Sequence, residues 1–76
     1  MQGYHVTTPH KLSRYLSTGA ILPPVRFSPT LPTAQAWARK TSRPFILAIS
    51  CTLAYPLPDH RPAYWTPELI REWEIV

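Results

Sequence analysis

The chain has 76 residues with one Cys, ten Pro and two Gly, so it is expected to form a single domain over residues 1–76. At this size folding buries only about 60% of the surface the unfolded chain exposes. An apolar share of 45% against 16% charged argues for a packed globule and against a disordered segment. The lone Cys51 excludes a disulfide framework within the chain, and apolar runs of a handful of residues exclude a spanning helix, which needs about twenty. The formal charge of +4 is unevenly spread: seven basic residues up to Arg61 stand against Asp59 alone, and three Glu and one Arg follow. A basic body of this kind attracts anions, including nucleotides, nucleic acid or the acidic face of a protein. Met1-Gln2-Gly3-Tyr4-His5 lacks the basic start and apolar core of a secretion signal, so a cytoplasmic location is expected.

Tyr4-His5-Val6-Thr7 alternates in the manner of a strand, placing Tyr4 and Val6 on one face and His5 and Thr7 on the other. Thr8-Pro9 reads as a helix start, with Thr8 as cap and Pro9 where the missing N–H costs nothing. Leu12, Tyr15 and Leu16 recur at helical spacing until Gly19 supplies a left-handed stop, so a helix is predicted over 9–18. Pro23-Pro24 forces an extended path into a strand at Val25-Arg26-Phe27. After a turn at Ser28-Pro29-Thr30, either Thr30 or Thr33 caps a second helix. With Thr30 as the cap, Leu31, Ala34 and Ala38 share a face with Trp37 beside them, and Arg39 and Lys40 fall at the end of the helix dipole that favours cations.

Phe45 to Leu53 is the longest apolar run and is read as the central strand. Pro56 to Pro62 carries three prolines in seven positions and must be irregular. Thr66-Pro67-Glu68 repeats the cap-then-proline pattern, which predicts one helical turn carrying Leu69, Ile70 and Trp73. Glu74-Ile75-Val76 closes the chain as a last strand. The predicted fold is thus a small α+β domain with short mixed strands and two main helices.

Several catalytic layouts find no residues here. His5, His10 and His60 are too scattered for a metal site, and Gly3 and Gly19 cannot build a glycine-rich phosphate loop. Cys51 lies in the most apolar run, where a thiol is inert packing. Asp59-His60-Arg61 sits in a proline-rich loop and reads as local turn hydrogen bonding. His5 with Thr7 is either a hydrogen-bonded strand pair or the wall of a cleft. Glu72 and Glu74 share a face that is either a solvated edge or a pair of carboxylates for a ribose or base.

Taken in order, Tyr4-His5-Val6-Thr7, a helix with Leu12 and Leu16, and Gly19-Ala20-Ile21 resemble the first motif of the ADP-ribosyltransferase-like superfamily. Val25-Arg26-Phe27-Ser28 leading to Ala34, Trp37 and Ala38 is similar to its second motif, and Glu74 after Trp73 resembles the glutamate of its third. The chain thereby looks like a minimal bacterial member, with an ADP-ribosyltransferase-like fold. The resemblance implies an NAD-dependent transferase that cleaves the nicotinamide–ribose bond, acting on nucleic acid or as a toxin. It implies that His5 and Thr7 bind the nicotinamide ribose and carboxamide, with Arg26, Phe27 and Trp37 completing the NAD site. Glu74 would stabilise the oxocarbenium-like transition state, with Glu72 as its alternative or as the acceptor-activating partner. Arg26 stands where many members carry a tyrosine, and it implies a phosphate grip like that of the RNA 2′-phosphotransferase branch. This reading expects His5, Thr7 and Glu74 to converge on one cleft with Arg26 at its rim. Two non-catalytic alternatives stand beside it: a basic module binding nucleic acid through Arg26, Arg39, Lys40 and Arg43, and a protein-contact module using Trp37, Trp65 and Trp73.

Overall fold

Local signals set the two helices. A computed structural model describes all of residues 1–76, and in it α1 runs Pro9–Thr18 and α2 runs Leu31–Thr41. The Thr8 hydroxyl accepts the Lys11 N–H at 3.2 Å, and Gly19, at φ 75°, donates its N–H to the Tyr15 carbonyl to close α1. For α2 the cap is Thr30, whose hydroxyl accepts the Thr33 N–H. Its end is formed by Ser42 in the left-handed region, at φ 55°. Of the stripe predicted on α1, Leu12 is buried and Tyr15 half-buried, but Leu16 is 65% exposed.

Six strands complete the order: β1 Gln2–Thr7 before α1, β2 Val25–Phe27 between the helices, then β3 Phe45–Ser50, β4 Tyr55–Pro56, β5 Tyr64–Thr66 and β6 Glu74–Ile75. They form two three-stranded sheets, β1-β3-β6 and β2-β5-β4. Every pairing is antiparallel, where mixed strands were expected. The sheets meet at one bridge, where Tyr4 and Ser28 exchange both backbone hydrogen bonds, 2.8 and 2.9 Å. The α+β architecture with two helices is the one expected from the sequence.

Three segments differ from expectation. The apolar run leaves β3 after Ser50, because the Thr52 and Leu53 N–H groups turn to the Glu68 carboxylate. No helical turn follows Thr66. Its hydroxyl accepts the Glu68 N–H at 3.1 Å in a local turn, while Ile70 is drawn into the core by a bridge to Ile21. Tyr64–Thr66 instead forms the centre of the second sheet. Pro56 is in β4, tolerated there because β4 is an edge strand and needs no donor on its outer side.

The main core gathers Leu12, Ile21, Val25, Phe27, Leu47, Ile49, Cys51 and Ile70, with Tyr15, Phe45 and Trp73 packed at its margin. Cys51 is thus a buried packing residue. At Gly3 the core packs directly onto backbone: a Cβ there would collide with the Phe27 ring. Helix α2 packs against β1 and β3, with Ala34 fully buried.

Candidate functional site

The junction between the sheets opens into a cleft of about 820 Å³, within the range of roughly 300–1,000 Å³ common for small-ligand sites. Both helices contribute to it with one face. Lys11, Arg14, Tyr15 and Thr18 line it from α1, and Thr33, Ala36, Trp37 and Lys40 from α2. Each set follows the i, i+3, i+4, i+7 spacing that places side chains in one row. His5 and Val6 of β1, Arg26 and Phe27 of β2, Arg43 after α2, and the loop from Leu57 to Ala63 close the remaining walls.

Charge is the dominant property of this cleft. Lys11, Arg14, Arg26, Lys40, Arg43 and Arg61 line it with Asp59 as the sole acid, so six of the eight Lys and Arg residues in the chain meet here. Cations scattered along the sequence are therefore focused by the fold into one anion-attracting concavity. Trp37 is 38% exposed, with the Lys40 ammonium 5.7 Å from its ring and His60 edge-on at 5.9 Å. It offers an accessible aromatic surface beside positive charge.

His5 is held firmly. Its Nδ1 lies 2.6 Å from the Arg26 carbonyl and its Nε2 lies 3.1 Å from the Tyr15 hydroxyl. Burial lowers its pKa below the ordinary 6.5, helped by the nearby Lys11 and Arg43 charges; the Arg26 carbonyl opposes this. The imidazole is accordingly neutral at physiological pH.

Of the residues expected at a nucleotide site, His5, Arg26, Phe27 and Trp37 line this cleft. Phe27 contributes from within the core, stacked on Tyr64 at 6.0 Å. The expected convergence with Thr7 and Glu74 does not occur. Thr7 is fully buried with its hydroxyl unpartnered and lines no part of the cleft. Glu74 pairs with Ala48, which pairs with Tyr4, whereas His5 pairs with Leu47 and Leu47 with Ile75. Because paired residues share a face and neighbours alternate, Glu74 and His5 point to opposite faces of their sheet. Glu72 and Glu74 instead line a second cavity of about 690 Å³ with Tyr4 and Glu68.

Sequence reasoning missed Tyr15, Lys11 and Arg14 as site residues, because it followed the apolar stripe of α1. The polar row at 11, 14, 15 and 18 was the signal that identifies them. Trp65 and Trp73, which the protein-contact reading uses, are half-buried. No helix is long and apolar enough to cross a membrane. Compared with known proteins, the chain matches no family model, no curated protein and no solved structure.

Proposed function

We propose that the chain is an ADP-ribosyltransferase-like domain whose cationic cleft binds NAD. The observation that carries this reading is the meeting of His5, Arg26, Phe27 and Trp37 in one cleft with five further cations. The residue types fit such a ligand. Guanidinium and ammonium groups suit a pyrophosphate, and the accessible face of Trp37 suits a base or nicotinamide ring. Glu74 lies on the far face of the sheet, so the geometry supports NAD binding more strongly than cleavage through that carboxylate.

Calorimetric titration with NAD tests the reading. Arg26→Ala should weaken binding about tenfold or more, since a charge-assisted hydrogen bond contributes about 1.5–3 kcal/mol. Thr7→Val and Glu74→Gln, outside the cleft, should leave affinity unchanged. Absence of binding by the unaltered protein at millimolar NAD would sink the proposal. A nicotinamide-release assay on the same proteins separates a transferase from a binding domain.

A second reading has one observation in its favour. Six cations against one acid exceed what a single pyrophosphate neutralises, and an exposed Trp flanked by Lys is a stacking platform for an unpaired base. Under this reading the cleft binds single-stranded nucleic acid without chemistry. Its signature is oligonucleotide binding that weakens steeply with salt and releases no nicotinamide.

A further inference from the structure

We infer that Tyr15, held in place by His5, presents the hydrogen-bonding atom to the ligand of the cationic cleft, and that His5 acts on the ligand only through it. This rests on the proposed nucleotide-binding role of the cleft and assigns a residue that the family resemblance does not. The argument begins with proton accounting on the imidazole. A backbone carbonyl only accepts, so the Nδ1 at 2.6 Å from the Arg26 oxygen must carry the hydrogen. In the neutral ring Nε2 is then an acceptor, and the hydroxyl 3.1 Å away on Tyr15 must donate to it. Both nitrogens are thereby used. His5 has no ring atom left for a ribose hydroxyl or a carboxamide.

Tyr15 is left in the complementary state. Its one proton is committed to His5, so its oxygen faces other partners as an acceptor only. The ring lies edge-on to Trp73 at 6.1 Å and tilted against His5 at 5.9 Å, and it lines the same cleft as Lys11, Arg14 and Arg26. Positive side chains take the anionic groups of a ligand, and a fixed neutral acceptor among them takes a ligand donor. The chemistry selected is a hydroxyl or amide N–H adjacent to a phosphate, as in a ribonucleotide.

The arrangement depends on His5 remaining neutral. Lys11 of α1 and Arg43 beyond α2 act on it through their charge, Tyr15 of α1 through its hydroxyl, and Arg14, Arg26 and Lys40 line the same cleft; its β3 partner, Leu47, carries no charge. Lys11 and Arg43, together with burial, hold its pKa down. Protonation would make Nε2 a donor and reverse the hydrogen bond to Tyr15. Ligand binding should therefore weaken as the pH falls through the lowered His5 value.

The test is a double-mutant cycle with NAD titrations of the unaltered chain, Tyr15→Phe, His5→Ala and the double variant. Tyr15→Phe keeps the ring against Trp73 and removes only the hydroxyl. It should weaken binding about tenfold, the worth of one hydrogen bond. His5→Ala should cost a similar factor, and the double variant no more than either alone, because the two act as one unit. Nitrogen-15 NMR of the imidazole should show a protonated Nδ1 and a bare Nε2, and the acid loss of affinity should vanish in Tyr15→Phe. Unchanged binding by Tyr15→Phe beside a loss in His5→Ala, additive losses, or a bare Nδ1 would each overturn the inference. If the unaltered chain binds no NAD, the nucleotide reading itself has failed. The same cycle run with a single-stranded ribo-oligonucleotide then decides, and equal affinities or no binding there overturn the assignment of Tyr15.

Discussion

A histidine that is half-buried and neutral in the native state makes stability depend on pH, and His5 sets a direction for that dependence. Its native pKa lies below the ordinary 6.5 because burial disfavours the charged ring. In the unfolded chain the ring takes up a proton near 6.5. Between the two values the unfolded state binds more protons, so stability rises with pH across that window. The contribution is complete above 6.5 and is lost as pH falls from there toward the native value. Urea midpoints measured at pH 7.5 and just above 5 should show the lower stability in acid, and His5→Gln should flatten the difference. Glu68 does not confuse the measurement. Its pKa is lowered by hydrogen bonds from the Leu53 and Thr52 backbones and from hydroxyls, so its own loss of stability comes only below the ordinary carboxylate value. The same residue scale explains Thr7: a β-branched hydroxyl was expected at a cleft, but the strand end carries it into the interior, where it meets no partner.

At the scale of elements, the helices follow from neighbours within four residues, while the strands depend on contacts made across the chain. β1 shows the difference. Its alternation was readable, but nothing local marks Gly3 as the point where Phe27 packs onto the backbone. A glycine inside a strand pattern is itself the hint, since it permits close approach. Gly3→Ala should destabilise the domain by about 1–3 kcal/mol, the usual cost of overpacking, read as a lower denaturation midpoint. An unchanged midpoint would mean that the Phe27 ring moves freely aside. The predicted turn at Thr66-Pro67-Glu68 failed for a related reason. Its capping pattern is real, and Thr66 does accept the Glu68 N–H. No helix forms because Ile70 pairs with Ile21 in the core and the Glu68 carboxylate is occupied by Thr52 and Leu53.

Across the whole molecule, charge is segregated. The radius of gyration is 11.3 Å, matching the roughly 11.4 Å expected for 76 residues, so every charged group lies near a surface and near others. Six cations and Asp59 line one cavity, while Glu68, Glu72 and Glu74, the other three acids, line the second with Arg71 as its one Lys or Arg. A net charge of +4 therefore understates the field at the cleft. Binding of a single-stranded oligonucleotide there should lose affinity with salt at a log–log slope no steeper than about −4, since six neutralised phosphates give about −0.7 each. Lys40→Glu should reduce the slope. A slope near zero, with binding intact, would remove the electrostatic account of this cleft.

Sequence alone determined what adjacent residues decide: Thr8-Pro9 and Gly19 bound α1, alternation marked β1, and the start of α2 was narrowed to Thr30 or Thr33, of which the structure uses Thr30 and closes the helix with a left-handed Ser42. Through the order of short motifs it also grouped His5, Thr7, Arg26, Phe27, Trp37 and Glu74, of which Thr7 and Glu74 lie outside the cleft. Tertiary structure decided the rest. The register β1-β3-β6 put Glu74 on the face away from His5, a consequence of strand pairing between residues 26 to 44 positions apart. The crossing of two helices and two sheets gathered dispersed cations and brought the Tyr15 hydroxyl to His5. Spacing along a chain sets local conformation through short-range sterics and hydrogen bonds. Which face meets which is set only when distant apolar residues bury one another, and the cleft is made at that step.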